Sequence, residues 1–90
     1  MFTWLNKQGV KSDKGFEVQS INRFKIEYRE HNRSISIHVE RGVSGGKPCV
    51  IIKEDAFEKW DDGIRITADK QIEISRNFSE AMNFQGIVVI

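Results

Sequence analysis

The sequence predicts an α+β domain, in which a small antiparallel or mixed sheet has one short and one longer helix packed on one face. Two patterns support this prediction. Apolar and polar residues alternate between residues 24 and 39, and apolar residues recur at helical spacing between residues 74 and 82. A chain of 90 residues supports one hydrophobic core, so residues 1–90 are expected to form a single domain.

A β-hairpin is the clearest predicted element. His31 and Asn32 are expected to form a two-residue turn, since both residue types tolerate the positive φ that such a turn requires. This register places Glu30 opposite Arg33, a pair of opposite charge that a slip of one residue would break. The apolar pairs that follow are Tyr28 with Ile35, Ile26 with Ile37, and Phe24 with Val39.

Three further segments are predicted as strands. Residues 16–21 follow a flexible turn region that runs from Gly9 to Gly15. Residues 41–47 are predicted to be a loop, after which Pro48 opens a strand over residues 49–52. That strand does not alternate, which indicates burial on both faces. Residues 87–90 are all apolar and are expected to form a buried final strand.

Two helices are predicted in the second half of the chain. Residues 54–60 are expected to form the short one. Thr67 is expected to cap the longer one, and Gly86 stands where glycine is favoured beyond a helix end. The apolar stripe of the longer helix consists of Ile74, Phe78, Ala81 and Met82. A second hairpin over residues 64–74, turning at Ala68–Asp69, is the alternative, and the helix is favoured because its stripe continues to Met82.

Composition limits the classes of function. The net charge of +1 argues against a dedicated nucleic-acid binder, which usually has a basic excess. The single cysteine excludes an internal disulfide and fits a reducing compartment. The start lacks the pattern of a signal peptide, and no apolar run is long enough to span a membrane. A cytoplasmic protein with no membrane partner is therefore expected.

Residues with potential chemistry do not form a catalytic or metal-binding pattern. His31 and His38 would lie about 20 Å apart along the hairpin, too far to act on one phosphate. Cys49 precedes an apolar strand, where burial would keep its thiol inert. The glycine-rich run over residues 42–48 lacks the spacing and the following helix of a phosphate-binding loop. We therefore expect no enzyme activity, no metal and no cofactor.

Two surfaces are candidates for binding a partner. The first is an acidic stretch whose side chains are either a solvated helix face or an interface for a basic partner. Trp60 within it would be a typical interface anchor, or would pack beneath the sheet. The second is the polar part of the hairpin. The candidate residues are Glu54, Asp55, Glu58, Trp60, Asp61 and Asp62 in the first, and Arg29, Glu30 and Arg33 in the second.

A set of short motifs extends this picture over residues 24–90. In order, they are Tyr28-Arg29-Glu30, Asn32-Arg33-Ser34, Ile35-x-Ile37-x-Val39-Glu40, Ala56-x-x-x-Trp60-Asp61, Ile66-Thr67 and Ala81-x-x-Phe84-x-Gly86-Ile87. Together they resemble a family of small bacterial immunity proteins from polymorphic-toxin and contact-dependent growth inhibition systems. The resemblance implies a cytoplasmic protein that binds a cognate toxin domain, often a nuclease, delivered by a neighbouring cell. It implies inhibition by covering the toxin's active site or a surface that the toxin needs.

Two other classes of function remain open at this point. A small nucleic-acid-binding or nuclease domain would use the basic residues of the hairpin, Lys25, Arg29, Arg33 and His38. Its binding would weaken steeply with salt, whereas binding to a toxin through a desolvated core would persist. A subunit of a larger enzyme would present a more apolar surface to its partner. The oligomeric state is not determined by the sequence.

Overall fold

The computed structural model describes residues 1–90 as a curled half-barrel of seven strands with one helix, 49% strand and 19% helix. The strands lie side by side in chain order, antiparallel except for the parallel last pair. The predicted pair of helices on a small sheet is therefore wrong. The elements are β1 (Phe2–Asn6), β2 (Gly9–Ser12), β3 (Phe16–Asn22), β4 (Lys25–Glu30), β5 (Arg33–Ser44), β6 (Lys47–Ile52), α1 (Ala68–Phe84) and β7 (Val88–Val89).

The predicted hairpin is confirmed as β4 and β5. His31 and Asn32 have φ values of 48° and 65°, the left-handed conformation of a type I′ turn, whose twist matches that of the flanking strands. The register pairs Tyr28 with Ile35 and Glu30 with Arg33, as predicted. Phe24 precedes β4 and is 62% exposed, so it contributes little to the core.

The short helix predicted over residues 54–60 is absent. Its backbone forms turns in which the Ala56 N–H donates to Lys53 O and the Glu58 N–H donates to Asp55 O, a spacing of three residues, not four. Seven residues cannot stabilise a helix without strong packing. The apolar spacing that suggested one arises because Phe57 and Trp60 both reach the core from irregular backbone.

The N-terminal region contains more sheet than the sequence indicates. β1 and β2 form a hairpin, and β2 lies within the segment from Gly9 to Gly15 that was predicted to be a turn. β2 pairs directly with the predicted strand β3. The sheet therefore contains two N-terminal strands, β1 and β2, that the sequence did not predict.

The segment predicted as a loop over residues 41–47 is also strand. β5 continues to Ser44, and Gly45 and Gly46 form the turn with φ values of 58° and 80°. Positive φ at both central residues is again the requirement of a type I′ turn, which glycine meets without steric cost. The first half of β5 pairs with β4 and the second half with β6, so the sheet curls along this strand.

The longer helix is confirmed, which excludes the alternative hairpin over residues 64–74. Thr67 Oγ1 accepts a hydrogen bond of 3.3 Å from the Lys70 N–H at the N-terminus of α1. Gly86 follows the other end with a φ of 81°. The four predicted stripe residues are all buried: Ile74, Phe78, Ala81 and Met82.

The core lies between α1 and the concave face of the sheet. It contains sixteen buried apolar residues, among them Val10, Val18 and Tyr28 from neighbouring strands. Burying one such side chain contributes about 1.5–3 kcal/mol. The two strands predicted to be fully buried are only partly so, because Ile51 of β6 is 43% exposed and both residues of β7 are half-buried. No helix has the length and apolar character needed to span a lipid bilayer.

Candidate functional site

The acidic stretch forms one continuous surface segment, residues 53–62, which we call the acidic turn segment. It contains five carboxylates and two lysines, giving a formal charge of −3. It begins after β6 and runs beside the first half of β5, where that strand has no neighbour other than β4. A backbone edge that would otherwise be open is therefore covered by charged turns.

Two buried aromatic residues anchor the acidic turn segment to the core. Phe57 and Trp60 are each 7% exposed. The Phe57 ring contacts the ring of Phe78 on α1 edge to face, with 5.7 Å between the ring centroids. Such pairs contribute about 0.5–1.5 kcal/mol beyond the area that they bury. The segment is thus tied to the helix as well as to the sheet.

Asp61 fastens the same segment to β5 by four hydrogen bonds. Its carboxylate accepts one from the Ser36 N–H at 2.8 Å, one from Ser36 Oγ at 3.0 Å and one from Ser34 Oγ at 3.1 Å. Its own N–H donates to Ser34 O at 2.8 Å. The ionised acceptor strengthens these bonds, so Asp61 determines where the acidic turn segment lies on the strand.

The end of the segment is closed by local hydrogen bonds. Asp62 Oδ1 accepts from the Ile64 N–H at 3.0 Å, an Asx turn, and the Trp60 N–H donates to Ile64 O at 3.0 Å. The Ile66 N–H donates to Glu58 O at 2.9 Å, which joins the segment to the residues that lead into α1. Its backbone is therefore held at several points.

The remaining carboxylates face solvent. Glu54 and Asp55 are exposed and take part in no ion pair, while half-buried Glu58 lies 3.8 Å from a guanidinium nitrogen of Arg65. Asp55, Glu58 and Asp61 line one shallow open groove together with Lys59. The structure thus brings three of the nine predicted site residues, Asp55, Glu58 and Asp61, around one groove, while Glu54 lines a different groove beside α1.

Trp60 lies beneath that surface and is not exposed on it. The Arg33 guanidinium covers its ring, with 5.8 Å between the guanidinium carbon and the ring centroid. This cation–π contact places Arg33 on the concave side of the sheet, beside the acidic turn segment. Trp60 therefore supports the segment from within the core.

Glu30 is also buried, with 6% exposure, and its carboxylate is occupied within the protein. Tyr28 Oη donates to it at 2.6 Å, and Lys70 Nζ on α1 donates at 2.7 Å. Asn77 Nδ2 donates in turn to Tyr28 Oη at 3.1 Å. This chain of bonds connects the hairpin to the helix, so the Glu30 carboxylate is bound within the fold.

The same network shifts three pKa values. Burial and the hydrogen bond to Glu30 raise the pKa of Tyr28 well above its usual range. Burial disfavours the charged form of Lys70, but its hydrogen bonds to Glu30 and Glu73 outweigh burial and raise its pKa. The hydrogen bond from Lys70 lowers the pKa of Glu73.

The basic residues of the hairpin do not form one face. Arg29 lies on the convex side, where its Nη2 is 3.1 Å from Glu27 Oε1. Lys25 and His38 are cross-strand neighbours on that side, whereas Arg33 is on the concave side. The positive charge proposed for nucleic-acid binding is therefore divided between two faces and neutralised in part by Glu27.

The sequence did not indicate which residues hold Asp61 and Glu30 in place through hydrogen bonds. Ser34 and Ser36 are separated from Asp61 by 27 and 25 residues, and Lys70 is separated from Glu30 by 40 residues. No local pattern links residues so far apart. The alternation in β5 was the available signal, because it places Ser34 and Ser36 on the face opposite the core.

Comparisons with protein-family models, with curated proteins and with solved structures found no match to this chain.

Proposed function

We propose that this chain is an immunity protein that binds a cognate toxin domain, delivered by a neighbouring bacterial cell, and neutralises it. The toxin is expected to be a nuclease with a basic active-site cleft. The immunity protein would act in the cytoplasm, where the incoming toxin meets its substrate. The proposal rests on the resemblance over residues 24–90 and on the acidic turn segment.

The attachment of the negatively charged segment to the core and to β5 is the observation that carries this proposal. Phe57 and Trp60 anchor the segment from below, and Asp61 fixes it to β5 through its carboxylate and its N–H. A loop that is ordered before binding loses little conformational entropy in the complex. Rigid charged loops therefore favour tight and selective binding.

The charge of the segment suits a basic partner. Five carboxylates lie within ten residues of a chain whose total charge is +1, so the acidic field is local. A field of this kind accelerates association with a positively charged cleft and disfavours acidic partners. The carboxylates of Glu54, Asp55 and Glu58 would take the positions that phosphates of the toxin's substrate occupy.

Burial and hydrogen bonding support different proposed roles for the expected contact residues. Glu54, Asp55, Glu58 and Asp62 are the proposed contacts, because their side chains are exposed or half-exposed. Asp61 positions the segment, and Trp60 supports it. Arg33 is exposed beside the segment and is a proposed contact for an acidic group on the rim of the toxin's cleft.

The experiment is co-expression with the candidate toxin domain encoded in the neighbouring reading frame, with cell survival and complex formation by size-exclusion chromatography as readouts. Toxin expressed alone should stop growth, and co-expression should restore it and yield one co-eluting complex. A catalytically inactive toxin variant provides material for the binding assay and should still form the complex. Absence of both rescue and complex would contradict the proposed function.

A further inference from the structure

A polar cavity of about 340 Å³ opens beside Arg41 of β5, just beyond the point where that strand leaves β4 and pairs with β6. It lies between the β1–β2 turn, the β3–β4 turn, β5 and the residues that follow α1. Eight residues line it, of which one is hydrophobic. Three carry positive charge, namely Lys7, Arg23 and Arg41, and none carries negative charge. The cavity shares no residue with the acidic turn segment.

Arg41 is held in the cavity wall by two neutral acceptors. Its Nε donates to Arg23 O at 2.7 Å and its Nη2 donates to Ser20 Oγ at 3.1 Å. A guanidinium group has five N–H donors, so three are left without an acceptor in the protein. The orientation of Arg41 is thus fixed while its charge remains unneutralised.

The other two cations are equally free. Neither Lys7 nor Arg23 lies within ion-pair distance of a carboxylate, and neither does Arg41. Arg23 rests against the exposed ring of Phe24, with 5.8 Å between the guanidinium carbon and the ring centroid. In a chain with 13 acidic and 14 basic residues, three unpaired cations at one cavity form a local excess that an anion would relieve.

Two amide side chains also line the cavity, and each makes a hydrogen bond within the protein. Asn22 Oδ1 accepts from the Phe24 N–H at 2.9 Å, so its amide nitrogen remains available to donate. Gln85 Nε2 instead donates to Ala81 O at 3.2 Å, at the C-terminal end of α1. That end carries partial negative charge, so an anion is favoured on the strand side of the cavity, beside Arg41.

We propose that this cavity binds the phosphate group of a small phosphorylated molecule. A phosphate monoester carries a charge of about −1.5 to −2 at neutral pH and three acceptor oxygens, which suits a fixed guanidinium with a second arginine and a lysine beside it. The cavity volume lies at the lower end of the range for small-molecule sites. This activity is separate from toxin binding and does not depend on it.

The test is a titration of the whole chain with inorganic phosphate, followed by amide chemical shifts and by calorimetry. Shifts should concentrate at Ser20, Arg23 and Arg41. The Arg41→Gln variant should bind at least about tenfold more weakly, because charge-assisted hydrogen bonds are lost. Lys25→Gln removes one cation from the convex face, outside the cavity lining, and should change the affinity less than about twofold, as expected for a screened surface charge.

Arg41→Lys keeps the charge but not the paired donors, and it serves as the check on folding. It should melt as a folded protein and bind phosphate with intermediate affinity. Shifts spread evenly over the chain, or equal affinity in Arg41→Gln and Lys25→Gln, would overturn the proposal. Nucleoside monophosphates should bind at least as well as phosphate. A single-stranded RNA that binds more tightly, with an affinity falling steeply in salt, would overturn the small-molecule assignment.

Discussion

The Asp61 carboxylate accepts a hydrogen bond of 2.8 Å from the backbone N–H of Ser36, 25 residues earlier in the chain. This bond satisfies a backbone donor on the part of β5 that β6 does not cover. It also determines the position of the acidic turn segment, whose exposed carboxylates are the proposed contacts. One side chain therefore connects the sheet edge to the proposed binding surface.

The first prediction concerns Asp61→Ala. This variant removes three hydrogen bonds from the carboxylate, so the free energy of unfolding should fall by about 1–3 kcal/mol, measured by urea denaturation. The Ser36 amide should exchange its hydrogen faster in the variant. Asp62→Ala is the control, because it removes one local bond to the Ile64 N–H and should cost less. Equal losses in the two variants would contradict the role given to Asp61.

The second prediction concerns the bond between Glu30 and Lys70. Lys70→Met leaves the Glu30 carboxylate buried without its cation, so stability should fall by about 1–3 kcal/mol, less than for a fully buried pair because Lys70 is about one-third exposed. Adding Glu30→Gln should recover much of this loss, since Gln still accepts from Tyr28 Oη and carries no charge. Additive losses in the double variant would show that the two residues do not interact.

The third prediction is the pH dependence of stability. The folded pKa of Glu73 is lowered, so its contribution is present above about pH 4.3 and is lost as the pH falls through the folded value. The folded pKa values of Lys70 and Tyr28 are raised, so their contributions are present below about pH 10 and are lost as the pH rises. Melting temperature should therefore be level between these limits.

The Lys70→Met variant tests which groups cause the loss of stability at acid pH and at alkaline pH. The melting temperature should fall less steeply at acid pH in this variant, because Glu73 loses the partner that lowers its pKa. At alkaline pH the loss of stability that comes from Tyr28 should remain. If the melting temperature of this variant depended on pH as in the wild type, other groups would cause both losses of stability.

The parts of the fold that were predicted correctly are those with a local cause. The hairpin register follows from alternation together with two residues that tolerate positive φ, and α1 follows from Thr67, the apolar stripe and Gly86. Each signal lies within the element that it predicts or next to it. Sequence reasoning therefore located these elements and their core-facing residues.

The errors occurred where distant contacts override local patterns. Ala56, Phe57 and Trp60 have helical spacing, but Asp61 is bonded to β5 and Phe57 packs on α1, which favours turns over a helix. Gly45 and Gly46 were predicted to lie in a loop. Two glycines between apolar segments are, however, a recognised signal for a type I′ turn.

The acidic stretch that the sequence singled out forms one surface segment, but the roles of its residues within the fold required the structure. Trp60 has a residue type that is common at interfaces and Glu30 is a charged residue of the hairpin, yet both are buried here. Glu30 faces inward because it shares the parity of Tyr28 on β4, which the predicted register already implied. The partner of Glu30, Lys70, lies on the helix and was not indicated by any sequence pattern.

The central claim is that the acidic turn segment forms the contact with a basic toxin domain. Charge reversal at Asp55 tests it most directly, with reversal at Glu40 as the matched control. Both carboxylates are exposed and neither takes part in an ion pair, so each variant reverses one unpaired surface charge, inside or outside the acidic turn segment. Asp55→Lys should leave the melting temperature almost unchanged, because its side chain makes no hydrogen bond.

The measurement is the association rate and affinity of each variant for the inactive toxin domain, determined by biolayer interferometry at low and physiological salt. Asp55→Lys should slow association and weaken affinity by about tenfold or more, with the larger effect at low salt, and Glu40→Lys should bind like the wild type. Wild-type binding by Asp55→Lys, or an equal loss in both variants, would contradict the claim that the acidic turn segment is the contact surface.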